Sequence, residues 1–297
     1  YRSMIITLLP LGTLKDLPLP ATHSITVFAQ ADYRFLTVHA PCPVPNIKDA
    51  TLLLGKEPVP FDVLKTSGTD ELVWTIDRMK KGESLKFTVE LPSNTKSKIE
   101  NKTTVSEHGV KLSVNNKNVD ITVSGNKFAT YDVTTGPNKP YIYPMYTASS
   151  KQVLRHYGVE TITGETHDHP HHRGMWFTHG DVNGVDFWSE DAKAGKTVST
   201  STSVTSGNVV GLLATSTDWI MPNGMRIATD SRQISVYSIK DARLMDFELT
   251  IKPVNGPLVF GDTKEGSFGI RLPDSMRVVG GDGHINSDTG VKDALTW

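Results

Sequence analysis

Cysteine is almost missing from this chain, with Cys42 the only one in 297 residues. That excludes an internal disulfide framework and any zinc or iron–sulfur site built on several thiolates, and Cys42 reads as a half-buried thiol. A charge excess is missing too, because acidic and basic residues cancel to a formal net charge of -1. Nothing in that balance supports wrapping of nucleic acid or coating of an anionic membrane, so the expected partner is a small-molecule or oligosaccharide ligand. Long hydrophobic runs are also lacking. The most apolar N-terminal stretch, Ile5 to Leu11, is broken by Pro10 and falls far below the roughly 20 residues of a membrane-spanning helix. Tyr1-Arg2-Ser3 ahead of Met4 reads as a cloning remnant.

Helical periodicity is scarce, and what replaces it is alternation of period two. Ser24 to Ala29, Leu85 to Leu91 and Val110 to Val114 each alternate apolar and polar residues between turn formers, the pattern of half-buried strands. Gly207 to Thr215, Gln233 to Tyr237, Met245 to Ile251 and Ser267 to Leu272 continue as a long antiparallel meander, and Ser199 to Ser206 suits an exposed strand. With 24 glycines and 17 prolines for the turns, the fold class predicted is all-β, a sandwich. Residues 93–106 are lysine-rich and nearly devoid of apolar area, so a linker is placed there. It separates a small immunoglobulin-like sandwich over 22–92 from a large antiparallel β domain over 107–297.

The chemistry is concentrated in residues 164–188. His167, His169, His171, His172 and His179 fall within thirteen positions, a density that packing does not demand, and imidazole both titrates near neutrality and binds metals. No cofactor is predicted. If a metal is present, His167, His169 and His171 are the candidate ligands, with Asp168 orienting one of them, although Pro170 makes a loop the better reading than a strand. A weaker metal pattern is His179-Gly180-Asp181 with distant His284, the spacing of a two-histidine, one-carboxylate iron triad.

Without metal, the same segment offers the vocabulary of a sugar site. Trp176 and Trp188 are flat platforms, while Glu165, Arg173, Asp181, Asn183 and Asp186 can satisfy hydroxyls. The plainer reading is a turn-rich loop held by Asp and Asn caps and buried indoles. A second constellation, Gly261 to Arg271, carries Lys264 and Glu265, where Glu265 is either a general base facing a histidine or half of an exposed ion pair. Arg155, His156 and Tyr157 precede the cluster by one strand and are expected to line the same cleft. The catalytic set expected is therefore His169, His172, His179 and Glu265, with Glu165 the reserve base.

Asp168 to Arg173 and Trp176 to Trp188 closely resemble a motif of the bacterial family catalogued as "methane oxygenase PmoA". Pro140 to Pro144 and Gly261 to Gly266 extend the likeness over roughly residues 130–275. None of the transmembrane helices of a membrane methane monooxygenase can be drawn through this chain. The resemblance implies a β-supersandwich like that of galactose mutarotase and bacteria rich in secreted carbohydrate-degrading systems, hence an extracellular or periplasmic location over a cytoplasmic one. It implies carbohydrate-active chemistry of epimerase, hydrolase or lyase type, with paired histidines and a late glutamate falling on His172 or His179 and on Glu265. Members of that family usually continue with a further His-Pro-rich, aromatic segment, so the resemblance implies a site that is incomplete here if that segment contributes a strand or a ligand. The alternatives are a metal-dependent oxygenase or hydrolase and a non-catalytic glycan-binding module.

Overall fold

The structure is a computed structural model that describes residues 5–7, 22–44, 47, 50–65, 68–91 and 105–293. Its described elements are strands, apart from one 3-10 turn at Asp274–Met276. The all-β prediction holds, for the reason given by the alternation: in β2 (Thr22–Phe28), Ile25 and Val27 are buried while Ser24 and Phe28 face outward. Of the predicted linker, only Val105 and Ser106 fall among the described residues.

Two compact units emerge. The first takes in residues up to Val110 together with Ser206–Val210 and Tyr237–Ile239. Its strands are β1 (Ile5–Thr7), β2, β3 (Tyr33–Pro41), β4 (Thr51–Leu54), β5 (Glu57–Val59), β6 (Asp62–Leu64), β7 (Glu71–Met79) and β8 (Ser84–Glu90). They form sheets of order β1-β2-β8-β4-β5 and β3-β7-β6, which share one apolar core built around Trp74, Phe87, Ile25 and Leu52. Trp74 and Phe87 lie 5.1 Å apart between ring centroids, and full burial of such a side chain contributes about 1.5–3 kcal/mol. The later segments join this unit through Asp62, whose carboxylate accepts the backbone N–H groups of Asn208, Val209 and Val210 at 3.0, 2.6 and 2.8 Å. Linear periodicity contains no signal for such a non-contiguous unit.

The second unit holds β9 (Val110–Asn115, from Lys111 on), β10 (Asn118–Val123), β11 (Asn126–Asp132), β12 (Tyr141–Met145) and β13 (Met175–Phe177). There follow β14 (Lys196–Thr205), β15 (Val210–Ile220), β16 (Arg226–Tyr237), β17 (Leu244–Pro253) and β18 (Phe268–Ile270). The sheet orders are β18-β13-β12-β11-β10-β9 and β14-β15-β16-β17; the second is the expected meander as far as Ile251, whereas the Ser267 to Leu272 segment leaves it and pairs with β13. Ser124-Gly125 joins β10 to β11 with φ of 50° and 74°, the positive pair that a two-residue hairpin turn needs to match strand twist. Phe177 of β13 and Phe187 both meet Trp219 of β15, at 6.3 and 5.1 Å, and Phe247 of β17 meets Phe268 of β18 at 5.4 Å. Aromatic contacts thus bridge the two sheets of a sandwich.

A pair of opposite charges, Asp230 and Arg232, is buried in that sandwich. Asp230 and Arg232 are each 2% exposed; the guanidinium donates to the carboxylate from Nε at 2.8 Å and from a terminal nitrogen at 3.0 Å, and Trp219 Nε1 adds a third donor at 2.7 Å. Breaking a buried pair strands an uncompensated charge. Asp230→Ala is therefore expected to cost about 3–5 kcal/mol in denaturant unfolding, whereas Asp218→Ala, which breaks the more exposed contact with Arg226, should cost under about 1 kcal/mol.

Candidate functional site

The histidine segment is a loop, as Pro170 demands, and strand begins only at Met175. Its shape is dictated by Arg155, a guanidinium 3% exposed. Arg155 donates to Asp168 at 2.7 Å and also to Asp274. Asp168 is shared with Arg271, and Asp274 additionally accepts the Thr166 N–H at 2.7 Å. One buried cation thus gathers two distant segments onto the loop.

Asp168 stays ionised. Burial opposes its charge, yet hydrogen bonds from Arg271 and His169 and the charges of Arg271 and Arg155 outweigh that and hold the carboxyl at about 2. Its Oδ2 accepts from His169 Nδ1 at 3.2 Å, which places the lone pair of a neutral His169 on Nε2. The His169 side chain is 52% exposed, the most open of the three stacked imidazoles. Its backbone has φ of 50° ahead of Pro170, a left-handed conformation that is uncommon for histidine and is retained where surrounding contacts enforce it. The turn closes as His172 N–H donates to the His169 carbonyl at 2.9 Å.

Below His169 the rings form a stack. His172 lies parallel to His169 at 4.9 Å and to Trp176 at 5.0 Å, while His171 and Trp188 present edges to it at 4.4 and 5.5 Å. Trp188 Nε1 donates to His172 Nε2 at 3.0 Å. A neutral imidazole has one ring lone pair, so the 3.4 Å contact of Nδ1 with the Arg271 guanidinium cannot also be an accepted hydrogen bond. Burial, followed by the charges of His171, Arg271, His169 and Lys139, pushes His172 down to about 3. Burial first, then Lys139, lowers His171 as well.

Several expected site residues are spent on architecture, which corrects the sequence reading. His179 is 9% exposed, accepts from Ser267 Oγ at 2.9 Å and donates to the Gly261 carbonyl at 2.9 Å, leaving neither nitrogen for catalysis. Glu265 pairs at 3.5 Å with Lys264, itself 89% exposed, the plainer of its two readings. Glu165 reaches back to cap the preceding turn, accepting from the His156 and Tyr157 N–H groups at 3.1 and 2.7 Å. Arg173 forks onto Glu190 at 2.9 and 2.9 Å and also donates to the Gly158 carbonyl.

The polar run after His179 is a hairpin. Asn183 and Gly184 have φ of 54° and 78°, Val182 and Val185 exchange backbone hydrogen bonds, and Asp181 accepts the Gly184 N–H at 2.8 Å, the turn that Asn-Gly favours. Asn183 ties the hairpin to Pro257 and Val259 at 3.1 and 2.7 Å. Asp186 caps Trp188 and Ser189 at 2.6 and 3.1 Å. Trp176 and Trp188, 3% and 7% exposed, support the stack from inside and are not open platforms.

The expected convergence of His169, His172, His179 and Glu265 does not occur. His169, His171 and His172 come together, whereas His179 and Glu265 belong to the 260–267 loop. His167 departs as well, stacked on Tyr157 at 4.6 Å, so the three-histidine ligand set is not assembled, and among the described residues no group of three or more metal-ligating side chains is gathered. His284 pairs with Asp293 at 3.3 Å, away from His179 and Asp181. A cavity of about 390 Å³ in this unit is lined by Phe128, Met145, Met175, Arg243 and Met245 among others, not by the histidines. Among the described residues no helix is long and apolar enough to cross a membrane.

Sequence reasoning missed Lys139. Its ammonium is fully enclosed, donates to the Trp188 carbonyl at 2.8 Å and faces Glu190 at 3.4 Å; desolvation, partly offset by Glu190, lowers it to about 8. Lys139 directly precedes the Pro140 to Pro144 motif, but nothing local distinguishes a buried lysine from a solvated one.

A family model described as a family of unknown function, DUF6807, matches residues 118–297, more than half of the chain and every residue of this cluster. The chain belongs to that family. A comparison with curated proteins found no match. For this DUF6807 member, the acid limb of stability tests the buried imidazoles. His172 remains neutral in the fold down to about 3, whereas an unfolded histidine takes up its proton near 6.5, so the unfolded state binds more protons between these values. Stability is therefore full above about pH 6.5 and declines below it, while the contribution of Asp168 is lost only as pH falls below the usual carboxylate range toward about 2. His172→Gln keeps an acceptor for Trp188, and its denaturant midpoint is expected to fall less steeply than wild type between about pH 6.5 and 4.5.

Proposed function

We propose that the protein is a carbohydrate-active enzyme in which His169 is the general base acting on a saccharide or sugar acid. The observation that carries this reading is the Asp168–His169 pair: an ionised carboxylate, fixed by two arginines, orients through Nδ1 a half-exposed imidazole whose lone pair is thereby left on Nε2. A carboxylate behind a histidine fixes its tautomer and stabilises the cation it becomes. The motif likeness to the family catalogued as methane oxygenase PmoA, and through it to mutarotase-like β-supersandwiches, supports a sugar as the substrate.

The geometry favours proton abstraction over glycoside hydrolysis. Most hydrolases place two carboxyl groups across the scissile bond, one of them protonated. Here Asp168 and Asp274 are locked against arginines and held below the usual carboxylate range, Glu190 is taken up by Arg173 and Lys139, and Asp186 accepts two backbone N–H groups, so none of the four is set up as the acid. A single accessible base suits epimerisation or elimination next to a carboxylate, where one group removes a proton and the same or another returns it. His171 and His172, kept neutral, form an uncharged bed beneath it.

The test is a panel of neutral saccharides, uronic acids and aldonic acids incubated with the full chain, with products followed by chromatography and solvent deuterium incorporation by NMR. His169→Ala is expected to reduce turnover at least about 100-fold, with stability changed by less than about 1 kcal/mol. His179→Ala should instead lower stability by about 1–3 kcal/mol, and Glu265→Ala should leave turnover within about twofold. Ligand-induced stabilisation without product or deuterium exchange would replace the enzymatic reading with a glycan-binding module.

A further inference from the structure

The first unit carries a cationic cavity that the site above does not use. Arg34 of β3 and Arg78 of β7 are directly opposed in the antiparallel register, and with Lys80, Asp32, Tyr33 and Met79 they line a cavity of about 270 Å³. Like charges facing one another across a strand pair oppose the pairing itself. The one carboxylate in the cavity offsets this only in part, because Asp32 feels Arg78 but is engaged first by the Lys81 N–H at 2.9 Å and by Lys80 at 3.4 Å. Three cations thus meet one acid that is already engaged.

The backbone beside them is also unusual. Successive side chains of a strand point to opposite faces, yet Phe35, next to Arg34, has φ of 54°. A left-handed conformation is a true outlier for a bulky residue and persists only where its surroundings impose it. It brings the Phe35 ring under the Arg34 guanidinium, whose carbon stands 5.0 Å from the ring centroid. An aromatic face beneath a guanidinium restrains that plane without consuming its N–H donors.

We propose that this cavity binds the carboxylate or sulfate groups of an acidic polysaccharide. Two guanidiniums across a strand pair, one of them supported by a ring, offer paired forks matched to planar or tetrahedral oxyanions, and the bound anion would offset the Arg34–Arg78 repulsion. Successive anions of a polymer can meet Arg34, Arg78 and Lys80 of the one cavity together, whereas a single small anion gains little in water. The polysaccharide part of the assignment rests on the saccharide reading above; the oxyanion part rests on this cavity alone.

The experiment measures binding of polygalacturonate, dextran sulfate, uncharged dextran and inorganic sulfate to the full chain by calorimetry. At least one polyanion is expected to bind, more weakly in about 0.5 M NaCl, while dextran does not; which polyanion binds decides between carboxylate and sulfate. Arg34→Gln and Arg78→Gln should each weaken binding about tenfold, with the melting temperature of the unliganded Arg78→Gln protein no lower than wild type. Arg34→Lys and Arg78→Lys, which keep charge but lose the fork, should fall between the wild type and the glutamine variants. Lys56→Gln, which removes an exposed charge in the β4–β5 turn, should change affinity less than about twofold. Failure of both polyanions to bind, equal loss in Lys56→Gln, wild-type affinity in both glutamine variants, or inorganic sulfate binding as tightly as the polymer would each overturn the proposal. Turnover on small saccharides is read separately: its absence would sink the His169 reading and leave this binding measurable.

Discussion

The buried charge of Arg155 is the constraint from which the histidine loop takes its form. A guanidinium removed from water is tolerable only if carboxylates meet it, and the two that do come from segments far apart in the chain: Asp168 from within the loop and Asp274 from beyond β18. Once Asp168 is held there, its second oxygen is available for His169, and the positive φ of that residue follows from the need to turn the chain back immediately through Pro170. The backbone contributes as well, since Arg155 N–H donates to the Arg271 carbonyl and Arg271 N–H to the Gly174 carbonyl, both at 2.8 Å. Arg271 is thereby fixed next to Asp168 before any side-chain preference matters. The loop is irregular in secondary structure and closely determined in position.

The fold was more legible in the sequence than the site, and the reason lies in the range of the interactions. Strands announce themselves within a few residues, because burial of one face imposes alternation, and the Asn183-Gly184 turn is readable from two residues. The partners of a polar side chain are set by segments that periodicity cannot connect. His179 and His169 are alike in sequence; one is closed off because Ser267 and Gly261 come to meet it, and the other stays open because its partner is its own neighbour. Lys264-Glu265 resembled a catalytic turn for the same reason that it proved to be an ion pair, namely that adjacent opposite charges satisfy each other. Asp181, Asn183 and Asp186 were read as hydroxyl-binding groups on type alone, whereas a dense run of Asp, Asn and Gly more often closes turns, since short polar side chains compete for backbone N–H groups.

His169, His171 and His172 meet one another through their rings. Histidine is flat, polar at its edge and, alone among side chains, changes charge near physiological pH when unperturbed. Three of them in contact cannot all carry charge, because each proton raises the cost of the next, and here Lys139 and Arg271 add positive potential from the interior. Depth then sorts them: His172, sandwiched and hydrogen-bonded by Trp188, stays uncharged far into acid, and His171 is displaced in the same direction. His169 stands at the open end of the stack, half exposed and hydrogen-bonded to a carboxylate. A row of chemically identical rings is thereby differentiated by depth, with no change of residue type.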